Sequence, residues 1–190
     1  MQNIFYFDQT ACVACNTCRV ACKDWNGVRP GPVSWRKVTT ETIGQGAGLK
    51  VTNLTMSCNH CSEPACIPAC PVDAIYKDES TGAVILDRAR CENLGECMSA
   101  CPYGAIDMAN EPQEAPKGKG YKTEHPAQKC TMCVDRQAEG KKPICVDACI
   151  MRALDFGTKE YLESKYGKLD EEAIGFKRAD TRPNYYFKRK

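Results

Sequence analysis

Apolar and polar positions along the chain form short stretches rather than long periodic ones. Phe5-Tyr6-Phe7, within residues 1–11, predicts a short strand near the start. Ser34–Thr42 alternates and is rich in Val and Thr, which predicts a second strand, and Gly44, Gly46 and Gly48 after it predict a turn rather than a phosphate-binding loop. Asp73–Asp78 and Ala83–Asp87 flank Glu79-Ser80-Thr81-Gly82, a hairpin pattern in which Gly supplies the positive φ. Residues 111–129 are polar, with three prolines and two glycines, and predict a surface loop. Thr158–Tyr166 predicts a helix that stops at Gly167. From Gly175 to Lys190 the chain is basic and aromatic without clear periodicity, so residues 170–190 are expected to be a tail suited to contact with a partner. Short strands mixed with short helices place the chain in the α+β class.

The connecting stretches carry the chemistry. Cys12, Cys15, Cys18 and Cys22 are spaced x2, x2, x3, and three more runs follow: Cys58, Cys61, Cys66 and Cys70; Cys91, Cys97 and Cys101; Cys130, Cys133, Cys145 and Cys149. In a run of the first type three thiolates hold one iron–sulfur cluster while the fourth ligates another, so each run calls for a second folded against it. Three runs end alike, as Cys70-x3-Ala74-Ile75, Cys101-x3-Ala105-Ile106 and Cys149-x3-Ala153-Leu154. The repetition implies one supersecondary unit used several times, its small and aliphatic residues packing against a cluster and excluding water.

Composition narrows the alternatives. Fifteen cysteines in 190 residues would suit a disulfide scaffold, but the number is odd and no secretory-type apolar segment follows Met1. Zinc ribbons also use Cys-x2-Cys pairs, yet one zinc ion takes at most four thiolates, and the x2, x2, x3 crowding fits it poorly. A net charge of +2 gives no basic field for nucleic acid. Mean hydropathy is −0.47, and no apolar run approaches the length of a membrane span. Assembly in a reducing cytoplasm is therefore expected.

Beyond the cysteines, Phe5-Tyr6-Phe7-Asp8-Gln9-Thr10, Ala21-Cys22-Lys23-Asp24, Asp135–Pro143 and Arg152-Ala153-Leu154-Asp155-Phe156-Gly157 surround the runs. With the four runs in this order, the chain resembles the iron–sulfur (beta) subunit of the dimethyl sulfoxide reductase family from about residue 4 to about residue 169. The resemblance implies two bacterial two-cluster ferredoxin-like modules, residues 53–110 being inserted into an outer module of 1–52 and 111–190. It implies that Cys12, Cys15 and Cys18 share a [4Fe-4S] cluster with Cys149, and that Cys22 shares one with Cys130, Cys133 and Cys145. Cys58, Cys61 and Cys66 would share a third with Cys101. Cys70, Cys91 and Cys97 would hold the last cluster. There Leu94 stands where the common pattern has a thiolate, so a [3Fe-4S] cluster is expected; an oxygen ligand from Glu92, Asn93, Glu96 or water is the alternative.

The implied function is a relay of single electrons between a molybdenum or tungsten bis-pterin catalytic subunit and a quinone-reactive membrane anchor or soluble redox partner. The Cys12 cluster would lie at the catalytic end and the three-iron cluster at the far end. The subunit would have no catalytic site of its own, and would sit peripheral to the cytoplasmic membrane through its partners. A free-standing polyferredoxin is the alternative within the same chemistry, and a zinc- or iron-binding regulatory module the alternative outside it. His60, between two ligands, and His125, in the polar loop, are expected to play no ligating role. Asp8, Asp24 and Asp135 are expected to be caps or ion-pair partners.

Overall fold

The computed structural model describes residues 2–108, 122–123 and 126–190. His125 and most of the 111–129 stretch lie outside the described residues. In chain order the strands are β1 (Asn3–Asp8), β2 (Arg36–Ile43), β3 (Lys50–Ser57), β4 (Ile75–Lys77), β5 (Val84–Leu86), β6 (Asp107–Met108), β7 (Ala127–Gln128), β8 (Leu154–Thr158) and β9 (Tyr185–Lys188). The helices are α1 (Thr17–Trp25), α2 (Glu96–Ala100), α3 (Val134–Ala138), α4 (Ile144–Asp147) and α5 (Lys159–Tyr166).

β1 is the middle strand of a three-stranded sheet, antiparallel to β8 and parallel to β9. That position explains its unbroken apolar run, because both faces are covered. Phe5 and Phe7 point into the main core with Phe156, Tyr185 and Phe187, while Ile4 and Tyr6 pack on the other face with Leu162, Leu169 and Tyr186. Phe5 lies opposite both Phe156 and Tyr185, with ring centroids 5.1 and 5.4 Å apart, so cross-strand aromatic pairs tie the two chain ends together.

β2 pairs with β3 along eight residues, from Arg36↔Ser57 to Ile43↔Lys50, through a short 3₁₀ turn at Gly46–Gly48. β4 and β5 form the expected hairpin, with Gly82 at φ +76° and the Asp78 carboxylate accepting from the Ser80 and Thr81 hydroxyls. α5 begins after Thr158, whose hydroxyl accepts the Tyr161 N–H at 3.3 Å, and gives way to Gly167 at φ +75°.

Three features of the fold add to the expected boundaries. The boundary at residue 53 falls inside β3, because the full hairpin is needed to pair β2. The end of the polar stretch is no surface loop: Ala127 and Gln128 pair with β6, and Ala127, Gln128 and Lys129 are buried. The aperiodic tail is built into the fold, since β9 completes the central sheet and Tyr185, Tyr186 and Phe187 are buried. A separate core, with Ala74, Ile75, Val84, Ile106 and Ala127, draws on the middle of the chain. A small apolar cluster of Val28, Val33 and Trp35 joins Cys22 and Cys130 to Cys58.

Candidate iron–sulfur site

All four cysteine runs use one backbone device. The second residue after the leading cysteine has positive φ in each: Ala14 at 53°, His60 at 44°, Asn93 at 62° and Met132 at 60°. A left-handed residue within a tight turn aims successive N–H groups to one side, making a concave nest for an anion. The Cys-x3-Ala repeat has a second device of the same kind. The residue before each alanine is left-handed, namely Asp73 at 49°, Gly104 at 54° and Arg152 at 52°. At two of the three the alanine N–H then donates back to sulfur, Ala74 to Cys70 Sγ at 3.3 Å and Ala105 to Cys101 Sγ at 3.5 Å. Met132 N–H reaches Cys130 Sγ and Ala127 N–H reaches Cys91 Sγ, both at 3.3 Å. Alanine is thus small enough to pack and placed to donate. Hydrogen bonds of this kind stabilise charge on sulfur and tune a cluster's potential.

The thiols gather across the runs. Cys12, Cys15 and Cys18 line a common void together with Cys149, walled by Phe7, Val38 and Leu154. Cys58, Cys61 and Cys66 line a second with Cys101, walled by Val84, Ala105 and Ile106. Cys22 has Cys130, Cys145 and Cys133 as its sulfur neighbours, and Cys97 has Cys70 and Cys91. Burial pushes three of the thiols well up, and adjacent sulfurs push further: Cys61 to about 11, Cys66 and Cys133 to about 12. Bare thiolates crowded this way repel one another, whereas iron ions among them would reverse the effect.

The donors fit an iron–sulfur cluster. Each set is thiol only, the walls are mostly apolar, and amide N–H groups face sulfur. Among the described residues no three Cys, His, Asp or Glu side chains close around a single-ion position. Two of the sets instead bring thiols of two different runs to one void.

Position 94 repeats the frame of the first run without its sulfur. Ala14 and Asn16 have positive φ on either side of Cys15 before α1 begins, and Asn93 and Gly95 have it on either side of Leu94 before α2 begins. Leu94 is 54% exposed. Glu92, a candidate oxygen donor, is exposed and paired with Lys122 at 2.9 Å, and Glu96 lies exposed in the first turn of α2.

His60 is fully buried, and its Nδ1 accepts the Val84 N–H at 3.0 Å. Burial first, and then the charge of Lys129, hold its pKa well below the usual imidazole value, so the ring is neutral. Asp8 accepts from the Thr10 N–H at 2.8 Å and pairs with Lys188 at 3.3 Å, and Asp135 accepts the Trp25 Nε1–H at 2.7 Å. Asp24 takes part through its backbone, its carbonyl accepting from Gly27 N–H at 3.2 Å.

Five residues around the thiols escaped the sequence reading. Arg36 and Lys129 are buried among them. The tail grips the second run: the Thr181 and Arg182 carbonyls accept from Glu63 N–H at 3.1 Å and Ser62 N–H at 2.9 Å, and the Asn184 side chain donates to His60 O at 2.7 Å. Thr181 also lines the void of the Cys58 set. Period-2 parity was a signal for Arg36, which shares a strand face with Val38; the tail residues gave none.

A family profile described as a 4Fe-4S dicluster domain matches residues 49–159. The protein is 40% identical to a chain of the anaerobic dimethyl sulfoxide reductase of Escherichia coli (strain K12), over 97% of its own length and 87% of that relative's. It is 31% identical to a subunit of the sulfite dehydrogenase of Allochromatium vinosum, covering 96% and 81%. Against the formate dehydrogenase-O iron-sulfur subunit of Escherichia coli (strain K12) the identity is 30%, covering 83% and 53%. With cysteine runs, crosswise thiol sets and relatives all in agreement, this protein belongs to the iron–sulfur electron-transfer subunits of the dimethyl sulfoxide reductase family.

Proposed function

We propose that the chain holds four clusters. Cys12, Cys15, Cys18 and Cys149 hold one [4Fe-4S] cluster, Cys22, Cys130, Cys133 and Cys145 a second, and Cys58, Cys61, Cys66 and Cys101 a third. Cys70, Cys91 and Cys97 hold a [3Fe-4S] cluster, Leu94 standing in place of a fourth thiolate. Bound there, the clusters supply one-electron redox chemistry, by which the subunit passes single electrons between a molybdenum or tungsten bis-pterin catalytic subunit and a quinone-reactive membrane or soluble partner. The two middle sets form a module carried inside an outer one built from both chain ends. The complex is assembled in the cytoplasm and lies peripheral to the membrane through its partners; among the described residues no helix is long and apolar enough to cross one.

The observation that carries this reading is the crosswise gathering, in which Cys149 joins the first run's void and Cys101 the second's. The residues' tasks follow from their chemistry. The thiols ligate, the amides of Ala74, Ala105, Ala127 and Met132 steady the sulfurs, and the apolar walls keep water from them. Around the first set, Cys15 is exposed beside Val13, Val20, Ile150 and Met151, an apolar surface suited to a partner that exchanges electrons there. Leu94 and Met98 are exposed apolar residues on either side of Cys97.

Cys149→Ala tests the pairing. It is expected to remove the electron paramagnetic resonance (EPR) signal of the first-run cluster and to leave the cluster of Cys130, Cys133 and Cys145 intact. Loss of the fourth-run cluster instead would overturn the crosswise assignment. Co-purification with a large pterin-bearing chain tests the partner, and a lone soluble protein would refute it.

A further inference from the structure

Two cations are buried where thiol sets meet. Arg36 on β2 is 1% exposed and Lys129, next after β7, is 3% exposed. Among the described residues neither is paired with a carboxylate. The oxygen partners of Arg36 are neutral, its guanidinium donating to Tyr185 Oη at 2.9 Å, Ser57 Oγ at 3.1 Å and Thr55 Oγ1 at 3.3 Å, and among the described residues its buried Nε has no hydrogen-bond partner. Lys129 Nζ donates to the carbonyls of Cys130, at 2.9 Å, and Val84. An interior cation is costly unless an anion compensates it. Sulfur is what lies beside both. Thr55, which receives the Arg36 bond, lines the first set's void with its hydroxyl 3.5 Å from Cys18 Sγ. On the other side the charge of Arg36 bears on Cys145, of the second set. Lys129 lines the void of the Cys58 set while bonded to Cys130 of the second.

We propose that Arg36 and Lys129 are the counter-charges of the electron path, Arg36 at the junction of the first and second thiol sets and Lys129 at the junction of the second and third. Resting on the four-cluster reading above, this assigns them an electrostatic task. Thiolate-ligated clusters are anions that gain charge on reduction, so a fixed cation beside two of them favours the reduced form of both and raises both potentials. The two positions act through the clusters and ligate neither.

The test is an EPR-monitored redox titration of the anaerobically purified complex, with iron and acid-labile sulfide counted. Lys129→Met and Arg36→Gln remove charge, whereas Lys129→Arg and Arg36→Lys keep it. The neutral variants are expected to shift the flanking clusters toward the oxidised form by about tenfold, about 59 mV for one electron, while the charged variants hold the wild-type potentials. Cluster loss in the neutral variant with retention in its charged counterpart also supports the proposal. Full iron with unchanged potentials in the neutral variants overturns it, as does equal cluster loss in both members of a pair, which would make the positions matters of packing. Wild-type protein without iron and sulfide would instead overturn the four-cluster reading itself.

Discussion

Leu94→Cys is the most exacting perturbation of the proposed cluster set. Cys15 and Leu94 occupy the same frame, each between two left-handed residues and just before a helix, so a thiol at 94 enters a backbone already turned for it. Leu94 is more than half exposed, and a surface replacement of that kind changes folding stability by no more than about 0.5 kcal/mol. The functional change is large by comparison. One further thiolate allows a fourth iron, so iron per chain rises by one and the oxidised [3Fe-4S] EPR signal disappears. The potential of that centre falls, each 59 mV being about a tenfold change in its reduction equilibrium. Iron analysis and EPR of oxidised, anaerobically purified wild type and variant read both effects. Equal iron content with an identical oxidised spectrum would refute the reasoning, because position 94 would then face no open iron site.

Three further outcomes follow from the fold. Burial alone would raise the Asp155 carboxyl, but hydrogen bonds from Lys142 (2.5 Å), Lys165 (2.7 Å) and Tyr166 (2.8 Å) outweigh it and hold the pKa at about 2. A depressed carboxylate stabilises the fold above its unfolded pKa, so Asp155→Asn should cost about 2 kcal/mol at neutral pH, with the difference from wild type closing as pH falls from about 4 toward about 2. Unfolding followed by circular dichroism across that range would show a constant difference if the network were inert. Phe187→Ala should cost about 3–5 kcal/mol by opening the core beside β1, while Arg189→Ala at the exposed end changes little; equal midpoints for the two would refute the docking of β9. Gly104→Ala should cost about 1 kcal/mol, from left-handed strain alone, since nothing lies within 4 Å of the added methyl; a loss of several kcal/mol in chemical denaturation would contradict that geometry.

What could be read in advance was local. The Phe5-Tyr6-Phe7 strand, the hairpin around Gly82 and the helix stopping at Gly167 each carry their signal within a few residues, and the fold keeps all three. β3 was missed because Lys50-Val51-Thr52-Asn53 begins on an exposed hairpin end, where alternation has no core to reflect. β9 is four residues long and finds β1 at the other end of the chain, so no window of sequence could contain the pairing. The cysteine spacing marked every thiol, and left-handed turns at Ala14, His60, Asn93 and Met132 are what that spacing encodes. Composition concealed the cations. Lys129 closes a stretch that looks solvated, and its burial follows from the pairing of β7 with β6.

The central claim is that four crosswise thiol sets hold four redox centres. It is tested most directly by an EPR redox titration of the anaerobically purified wild-type complex with iron and acid-labile sulfide counted on the same sample. Four one-electron centres are expected, one of them EPR-active when oxidised and lost on mild reduction. Fewer than four centres, or zinc without acid-labile sulfide, would contradict it.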